Sequence, residues 1–218
     1  MIGYFIAFIV VGYICGLFES GYFVGKVCGI DIRNYGSGNS GTTNVLRVLG
    51  KMRAFLTFMG DALKGFIPVM IVKHIVGPNI GLSGEMLSFA ALLIGFAAVM
   101  GHDYPFYMHF KGGKGVATTA AVFMAFDWRM GTLCFIIFVC FVAATRYVSL
   151  GSIMLSIGLI PEILIFHHGM WKVLAITCLF TYFIVYRHRA NIGRLLSGTE
   201  SKLGQKVKVD LPKDHEDK

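Results

Sequence analysis

The sequence predicts an all-α integral membrane protein whose seven transmembrane helices leave the N-terminus outside and the C-terminus in the cytoplasm. Three observations lead there. Of the 218 residues, 56% are hydrophobic and only 15% charged, with a mean hydropathy of +0.68, whereas a soluble domain is about a quarter charged. The apolar residues gather in runs close to the approximately 20 residues that a crossing helix needs. The Lys and Arg residues gather in every second loop.

The first run, 1–24, has no basic leading region and no small-residue cleavage site, and it is too long for the apolar core of a signal peptide, so it is expected to remain as a span. The runs 54–76 and 83–101 follow, both long enough to cross. Run 114–127, GVATTAAVFMAFDW from Gly115 on, is the shortest, and a re-entrant piece is the alternative there. Runs 130–145, 147–166 and 170–186 complete the set. Loop charge tests the count. Residues 25–53 carry Lys26, Arg33, Arg47, Lys51 and Arg53, residues 102–114 carry Lys111 and Lys114, Arg146 marks the turn after the fifth run, and the tail from 187 carries eight Lys or Arg. The alternate loops hold only Arg129 and Lys172. With seven crossings all basic loops share one side, which the positive-inside rule makes the cytoplasm of a bacterial plasma (inner) membrane. The net charge of +8 is then mostly topology, with attraction to anionic headgroups second, and no nucleic-acid partner is expected. A single catalytic domain over 1–205, monomeric, and a flexible polar cytoplasmic tail over 206–218 complete the predicted organisation. The cysteines (Cys15, Cys28, Cys134, Cys140, Cys178) show no ligand-like spacing and read as small hydrophobes.

Three stretches break the apolar pattern, all on the predicted cytoplasmic side: GSGNSGTTNVLR at 36–47, GHDYPFYMHFKGGKGVAT at 101–118 and HRANIGRLLSGTE at 188–200. The first contains Gly36-x-Gly38-x-x-Gly41 with Asp61 twenty residues on, the outline of a dinucleotide fingerprint. Context excludes that reading, because Asp61 lies inside the apolar run AFLTFMGDALKGFIPVMIV and an open parallel sheet cannot span a bilayer. Around Lys114 a Walker A loop also fails, since position 108 is Met and position 115 is Gly. What remains is anion binding: glycines let backbone N–H groups converge, hydroxyls and amides add hydrogen bonds, and Lys or Arg adds charge. One such loop alone is equally a tight turn with headgroup anchors; three on one side favour an anion site. His188 and Asn191 share a helical face and form a candidate contact pair, and His102 sits at a span end. His74, His109, His167 and His168 have no supporting neighbours. Asp61 and Lys64 also share a face and are either a structural ion pair, with each other or with Glu19, or functional. Glu162 is expected at the interface.

These three stretches, in this order, resemble the cytoplasmic signature motifs of the bacterial acyl-phosphate:glycerol-3-phosphate acyltransferases, the PlsY family, and GDALKG at 60–65 resembles that family's second span. The resemblance covers nearly the whole chain. It departs at Ala190, where the motif often has Glu, which removes a carboxylate general base from that position, and in a longer tail. It implies transfer of a fatty acyl group from acyl phosphate to the 1-hydroxyl of sn-glycerol 3-phosphate, giving lysophosphatidic acid and phosphate, with no cofactor. It further implies catalytic roles for Ser37, Lys114 and His188 and substrate-binding roles for Asn39, Thr43, Asn44, Arg47, His102, Gly112, Gly113, Gly115 and Asn191. Lys114, Gly113, Ser37, Asn39 and Thr43 would hold the acyl-phosphate headgroup, and Arg47, His188 and Asn191 the glycerol 3-phosphate. The proton of the attacking hydroxyl would go to the departing phosphate or to His188; a phosphate beside His188 would favour the imidazolium, and hence the phosphate as acceptor. An acylated Ser37 is the third route.

Three other functions fit less well. A transporter for an organic phosphate would place its binding groups near the midplane, often in repeated halves, and no repeat is visible. A CoA-dependent acyltransferase with a His-x4-Asp pair is excluded, because no His here has Asp five residues later. A scaffold gives the polar loops no purpose. No carboxylate cluster suited to a metal is present in the sequence, so activity is expected to persist in chelator; activity lost in chelator and restored by Mg²⁺ would overturn this.

Overall fold

The computed structural model describes residues 1–205, and all regular structure in them is helical. The tail predicted for 206–218 lies outside the described residues. Each predicted apolar run contains a helix. The first is divided: α1 (Ile2–Gly16) and α2 (Ser20–Val27) are separated by a short gap whose last residue, Glu19, precedes α2. Then come α3 (Thr42–Leu49), α4 (Lys51–Ile71) continuing through a wide π-turn (Val72–Val76) into the short α5 (Gly77–Asn79), and α6 (Gly84–Asp103). The second half holds α7 (Val116–Phe126), α8 (Trp128–Thr145), α9 (Val148–Phe166), α10 (Trp171–Arg187) and α11 (Arg189–Leu196).

Five stretches are long and apolar enough to cross a membrane by themselves: Ile2–Val27, Lys51–Asn79, Gly84–Met108, Trp128–Thr145 and Val148–Phe166. The chain is a multi-pass membrane protein. The 17 residues of α10 and the 11 of α7 span about 25 Å and about 16 Å, against a hydrocarbon core of about 30 Å. Short as it is, α7 connects the two ends of the bundle. It starts at Gly115 among the polar loops and ends beneath Lys73, whose ammonium donates to the Phe126 and Ala125 carbonyls, a cation on the negative end of the helix. There Asp127 caps α8, accepting from Arg129 N (3.0 Å), and meets His167 Nε2 at 3.0 Å. The three glycine-rich stretches lie together at the other end.

Small residues set how closely the helices pack. A Cβ on Gly12 or Gly16 of α1 would run into the Ile94 and Ala98 carbonyl oxygens of α6, and one on Gly101 would meet Tyr13 O. Lipid supplies no hydrophobic drive between helices, so such backbone contact is what holds α1 on α6. Phe96, Phe123 and Phe180 fill the centre, with Phe123 and Phe180 stacked edge-on at 5.2 Å. A second, smaller core of Ile32, Val45, Leu49 and Ala54 lies beneath the first glycine-rich stretch. Glu162 corrects the expectation of an interfacial side chain: α9 buries Leu155, Leu159, Glu162 and Ile163 on one stripe, and the carboxylate, 5% exposed, shares that inward face.

Gly16→Val is expected to lower the thermal midpoint, costing about 1–3 kcal/mol by overpacking. Gly3→Val, where nothing lies within 4 Å, is the control and is expected to leave it unchanged.

Candidate active site

The first stretch is wound around one amide. Asn44, buried in the first turn of α3, donates from Nδ2 to the carbonyls of Ile32 (3.2 Å), Tyr35 (3.0 Å) and Asn39 (2.9 Å), while its Oδ1 accepts from Ser37 N (2.8 Å). Gly36 and Gly38 take φ of +60° and +72°, and a Cβ on Gly36 would strike Asn44 Oδ1. These bonds occupy both N–H donors of Asn44 and one lone pair of its Oδ1. It is the organiser of the loop, which corrects its assignment as a substrate ligand. The result presents Ser37 and Asn39 outward, with Asn39 Oδ1 bracing Gly41 N at 2.9 Å. Arg47, in the last turn of α3, donates from Nη2 to Ser201 O at 3.1 Å.

The second stretch is pinned from both sides. Gly112 N donates to Asp103 O (3.2 Å) and Gly113 N to His102 O (3.1 Å), while Arg187 donates to the Gly112 and Gly113 carbonyls at 2.9 Å and 2.6 Å. The N–H groups of these two glycines therefore serve the fold, a correction to their proposed part in anion binding. Gly113 must be glycine for a different reason: a Cβ would penetrate the His102 ring at Nε2. Gly115 takes φ +68° and starts α7, close over the Asp103 carboxylate. His102, 4% exposed, lies under Gly113 and points its Nδ1 into a buried cluster with Glu19, Asp61 and Lys64, so it too is corrected from substrate contact to scaffold. Asp61 and Lys64 are an ion pair at 3.0 Å, with Glu19 3.6 Å from the same ammonium.

Lys114 escapes the clamp and reaches Asn191 Oδ1 on α11. Asn191 Nδ2 donates to Glu200 Oε1 (2.7 Å), whose other oxygen accepts from Arg194 Nε (2.7 Å). The pair His188 and Asn191 is close in the chain but divided in role. His188 closes α10, is 2% exposed, and has its Nδ1 2.8 Å from Ile184 O, so Nδ1 carries the proton and Nε2 the lone pair. Burial, and after it the charge of Lys114, push His188 down to about 4. Without an anion beside it the imidazole is held towards its neutral form; the imidazolium is the form expected with a phosphate in contact. Burial also pushes Lys114 down to about 8, with Arg194, Arg187 and Arg47 acting the same way and Glu200 opposing them.

Two cavities adjoin here. One, of about 440 Å³, is walled by Ser37, Asn39, Lys114, Asn191 and Ala190 together with Arg33, Lys111, Arg187 and Arg194, five cations in all and no carboxylate. The other, of about 620 Å³, is walled by Gly36, Ser37, Arg47, Arg194 and Glu200. Ser37 and Arg194 belong to both. Thr43 lies on α3 outside them, as does His188. Arg33 and Arg194 are paired with Asp31 and Glu200 at 2.7 Å each, while Lys111, Lys114 and Arg187 have no carboxylate partner among the described residues; cations gathered in this way bind anions, and two joined cavities suit two phosphates side by side. Sequence reasoning had not singled out Arg33, Lys111, Arg187, Arg194 or Glu200. All five lie in or beside the glycine-rich stretches, but spacing does not tell which cations face inward, and Glu200 reaches the site only because the chain turns back after α11.

The family model for glycerol-3-phosphate acyltransferase matches residues 6–198. A glycerol-3-phosphate acyltransferase of Clostridioides difficile (strain 630) is 42% identical, covering 93% of this chain and 97% of that protein. Its counterpart in Thermoanaerobacter sp. (strain X514) is 41% identical, covering 92% and 96%. The crystal structure of PlsY (YgiH), an integral membrane glycerol 3-phosphate acyltransferase, in its glycerol 3-phosphate form superposes with a TM-score of 0.82 at 38% identity, covering 92% of this chain and 96% of that one. The lysophosphatidic acid form gives 0.80 at 37%.

Proposed function

The chain belongs to the glycerol-3-phosphate acyltransferase family, and from that premise we propose that it moves a fatty acyl group from acyl phosphate to the 1-hydroxyl of sn-glycerol 3-phosphate, forming lysophosphatidic acid and phosphate. The observation that carries this reading is the pair of adjoining cavities walled jointly by Ser37 and Arg194. Both substrates bear phosphate, and bringing them together requires cations that offset their repulsion. The acyl-phosphate headgroup lies in the cavity of five cations, against Lys114, Ser37 and Asn39. The phosphate of glycerol 3-phosphate lies in the second, against Arg47, with Asn191 between the two.

The hydroxyl oxygen forms the new bond to the acyl carbon, the carbon–oxygen bond to phosphate breaks, and the phosphate leaves with the electron pair. An acyl phosphate is already activated, so placement and charge stabilisation supply the rate. The departing phosphate takes the proton. Neutral His188 has the lone pair to do so, but it is buried and outside both cavities. Ser37 stays unacylated, since its backbone is tied to Asn44 and no imidazole hydrogen-bonds to it among the described residues. Seven crossings, an external N-terminus, a cytoplasmic site in the bacterial inner membrane and a monomeric enzyme complete the proposal. The support is that both cavities and the basic stretches lie at one end of the bundle, where a soluble phosphate and a lipid tail can both arrive. That clustering also argues against a transporter, whose groups sit near mid-bundle.

The test is phosphate release from palmitoyl phosphate by the purified protein in lipid, with and without glycerol 3-phosphate, and with palmitoyl-CoA as a parallel donor. Release requiring both substrates and yielding lysophosphatidic acid is expected; product from palmitoyl-CoA alone would overturn the donor, and none from either the enzyme. Lys114→Ala is expected to abolish turnover while the protein stays folded, and near-normal activity would remove Lys114 from the site. In the wild type, Lys114 is charged below about 8 and loses its proton above it, so kcat/KM falls through that alkaline limb. His188, titrating near 4, adds no break in the neutral range.

A further inference from the structure

Glu19 stands outside both cavities and is completely buried in the gap between α1 and α2. Its Oε2 accepts from Ser40 Oγ at 2.6 Å, the residue that closes the Ser37 loop. Its Oε1 is 2.6 Å from His102 Nδ1 and 3.6 Å from Lys64 Nζ. His102 in turn holds the Lys114 loop twice, by accepting from Gly113 N (3.1 Å) and by the ring face on which Gly113 sits. Among the described residues no hydrogen bond runs directly between 31–49 and 103–115. On the buried side the two loops that carry Ser37 and Lys114 are joined through this carboxylate; on the cavity side each reaches residues 191–201 instead, Arg47 at Ser201 O and Lys114 at Asn191.

We infer that Glu19 is a positioning residue for acyl transfer, fixing the Ser37 loop against the Lys114 loop through Ser40 and His102. The inference rests on the acyltransferase reading above. Lys64 and Asp61 supply the remaining charges around it: Lys64 Nζ is 3.0 Å from Asp61 Oδ1 and donates to Phe18 O at 2.7 Å, which closes the gap in which Glu19 sits. The carboxylate is thus held while its two oxygens face opposite loops. Each loop keeps its own internal bonds without Glu19: Asn44 still winds the first and Arg187 still clamps the second. Loss of Glu19 therefore leaves each phosphate site intact and disturbs only their separation and angle. Rate is sensitive to that geometry, and a displacement of about 1 Å costs about 100-fold.

The experiment compares Glu19→Gln, Glu19→Ala, Ser40→Ala and the double variant Glu19→Gln/Ser40→Ala with the wild type, measuring kcat, the KM for glycerol 3-phosphate and the thermal midpoint. For Glu19→Ala, kcat is expected to fall by about 10- to 100-fold with KM little changed, and Glu19→Gln, which keeps an acceptor for Ser40, is expected to recover part of the loss. Ser40→Ala is expected to lower kcat in the same direction, and the double variant to fall short of the product of the single losses, because both break one linkage. A folded Glu19→Gln with wild-type kcat would overturn the inference, as would a rise in KM at constant kcat or fully multiplicative losses. If Glu19→Ala does not fold, the Gln and Ser40 variants decide. A wild type that transfers no acyl group overturns the functional reading and this inference with it, whereas an active wild type matched by its variants overturns the inference alone.

Discussion

Repulsion among like charges is the constraint around which the site is built. Two unit charges 4 Å apart interact by about 4 kcal/mol at an effective dielectric of about 20. Five cations wall one cavity with no carboxylate among its lining; Asp31 and Glu200 pair with Arg33 and Arg194 from its edge, which leaves Lys111, Lys114 and Arg187 as like charges with no ion-pair partner among the described residues. Lys114 registers this strain: burial and the neighbouring Arg194, Arg187 and Arg47 bring its ammonium down to about 8. Such an arrangement persists only if the backbone carrying the cations cannot relax. That accounts for the dense internal bonding of the loops, with Asn44 holding four backbone partners and Arg187 using its own charge on the Gly112 and Gly113 carbonyls.

Glycine serves packing here more than anion binding. Gly36 clears Asn44, Gly113 clears His102, and Gly12 and Gly16 let α1 lie on α6. In each case a side chain would displace the atom that fixes a neighbouring loop or helix. The same logic extends from the membrane interior to the site: α6 carries both the Ala98 carbonyl that receives α1 and, one turn further, the His102 on which the Lys114 loop rests. Close packing in the bundle and geometry in the loops are therefore one problem.

Much of this was legible in the sequence, and what was not has physical reasons. Every apolar run contains a helix, because a run near the length of a bilayer crossing leaves the backbone no other way to satisfy its hydrogen bonds. The division at Glu19 was not legible, since the flanking residues are as apolar as a span and the break is stabilised by Ser40, Lys64 and His102 from elsewhere in the chain. Of the residues that composition and the family resemblance singled out, Ser37, Asn39, Lys114, Arg47 and Asn191 line the two cavities. Asn44 and His102 carry the same chemistry as the cavity-lining residues, and only three-dimensional placement reveals that the Asn44 amide is bonded to its own loop and that His102 Nδ1 faces Glu19. The burial that pushes His188 down was not legible either, because desolvation cannot be read from neighbours in sequence.

The placement of carboxylates follows from the same electrostatics. A carboxylate in the cation-lined cavity would compete with phosphate for the same donors. Glu19, Asp61 and Asp103 are all buried, and Lys64 and His102 face the first two of them. Glu200 alone reaches a cavity, and both its oxygens are engaged by Asn191 and Arg194. It thereby orients two groups that face phosphate while exposing little free charge of its own. Ala190 fits this pattern: it lines the cavity at a position where a carboxylate would meet the cations directly. The cation-walled cavity thus has its negative charges at its edge or one layer back, close enough to hold the cations in place and far enough to leave the cavity open to an anion.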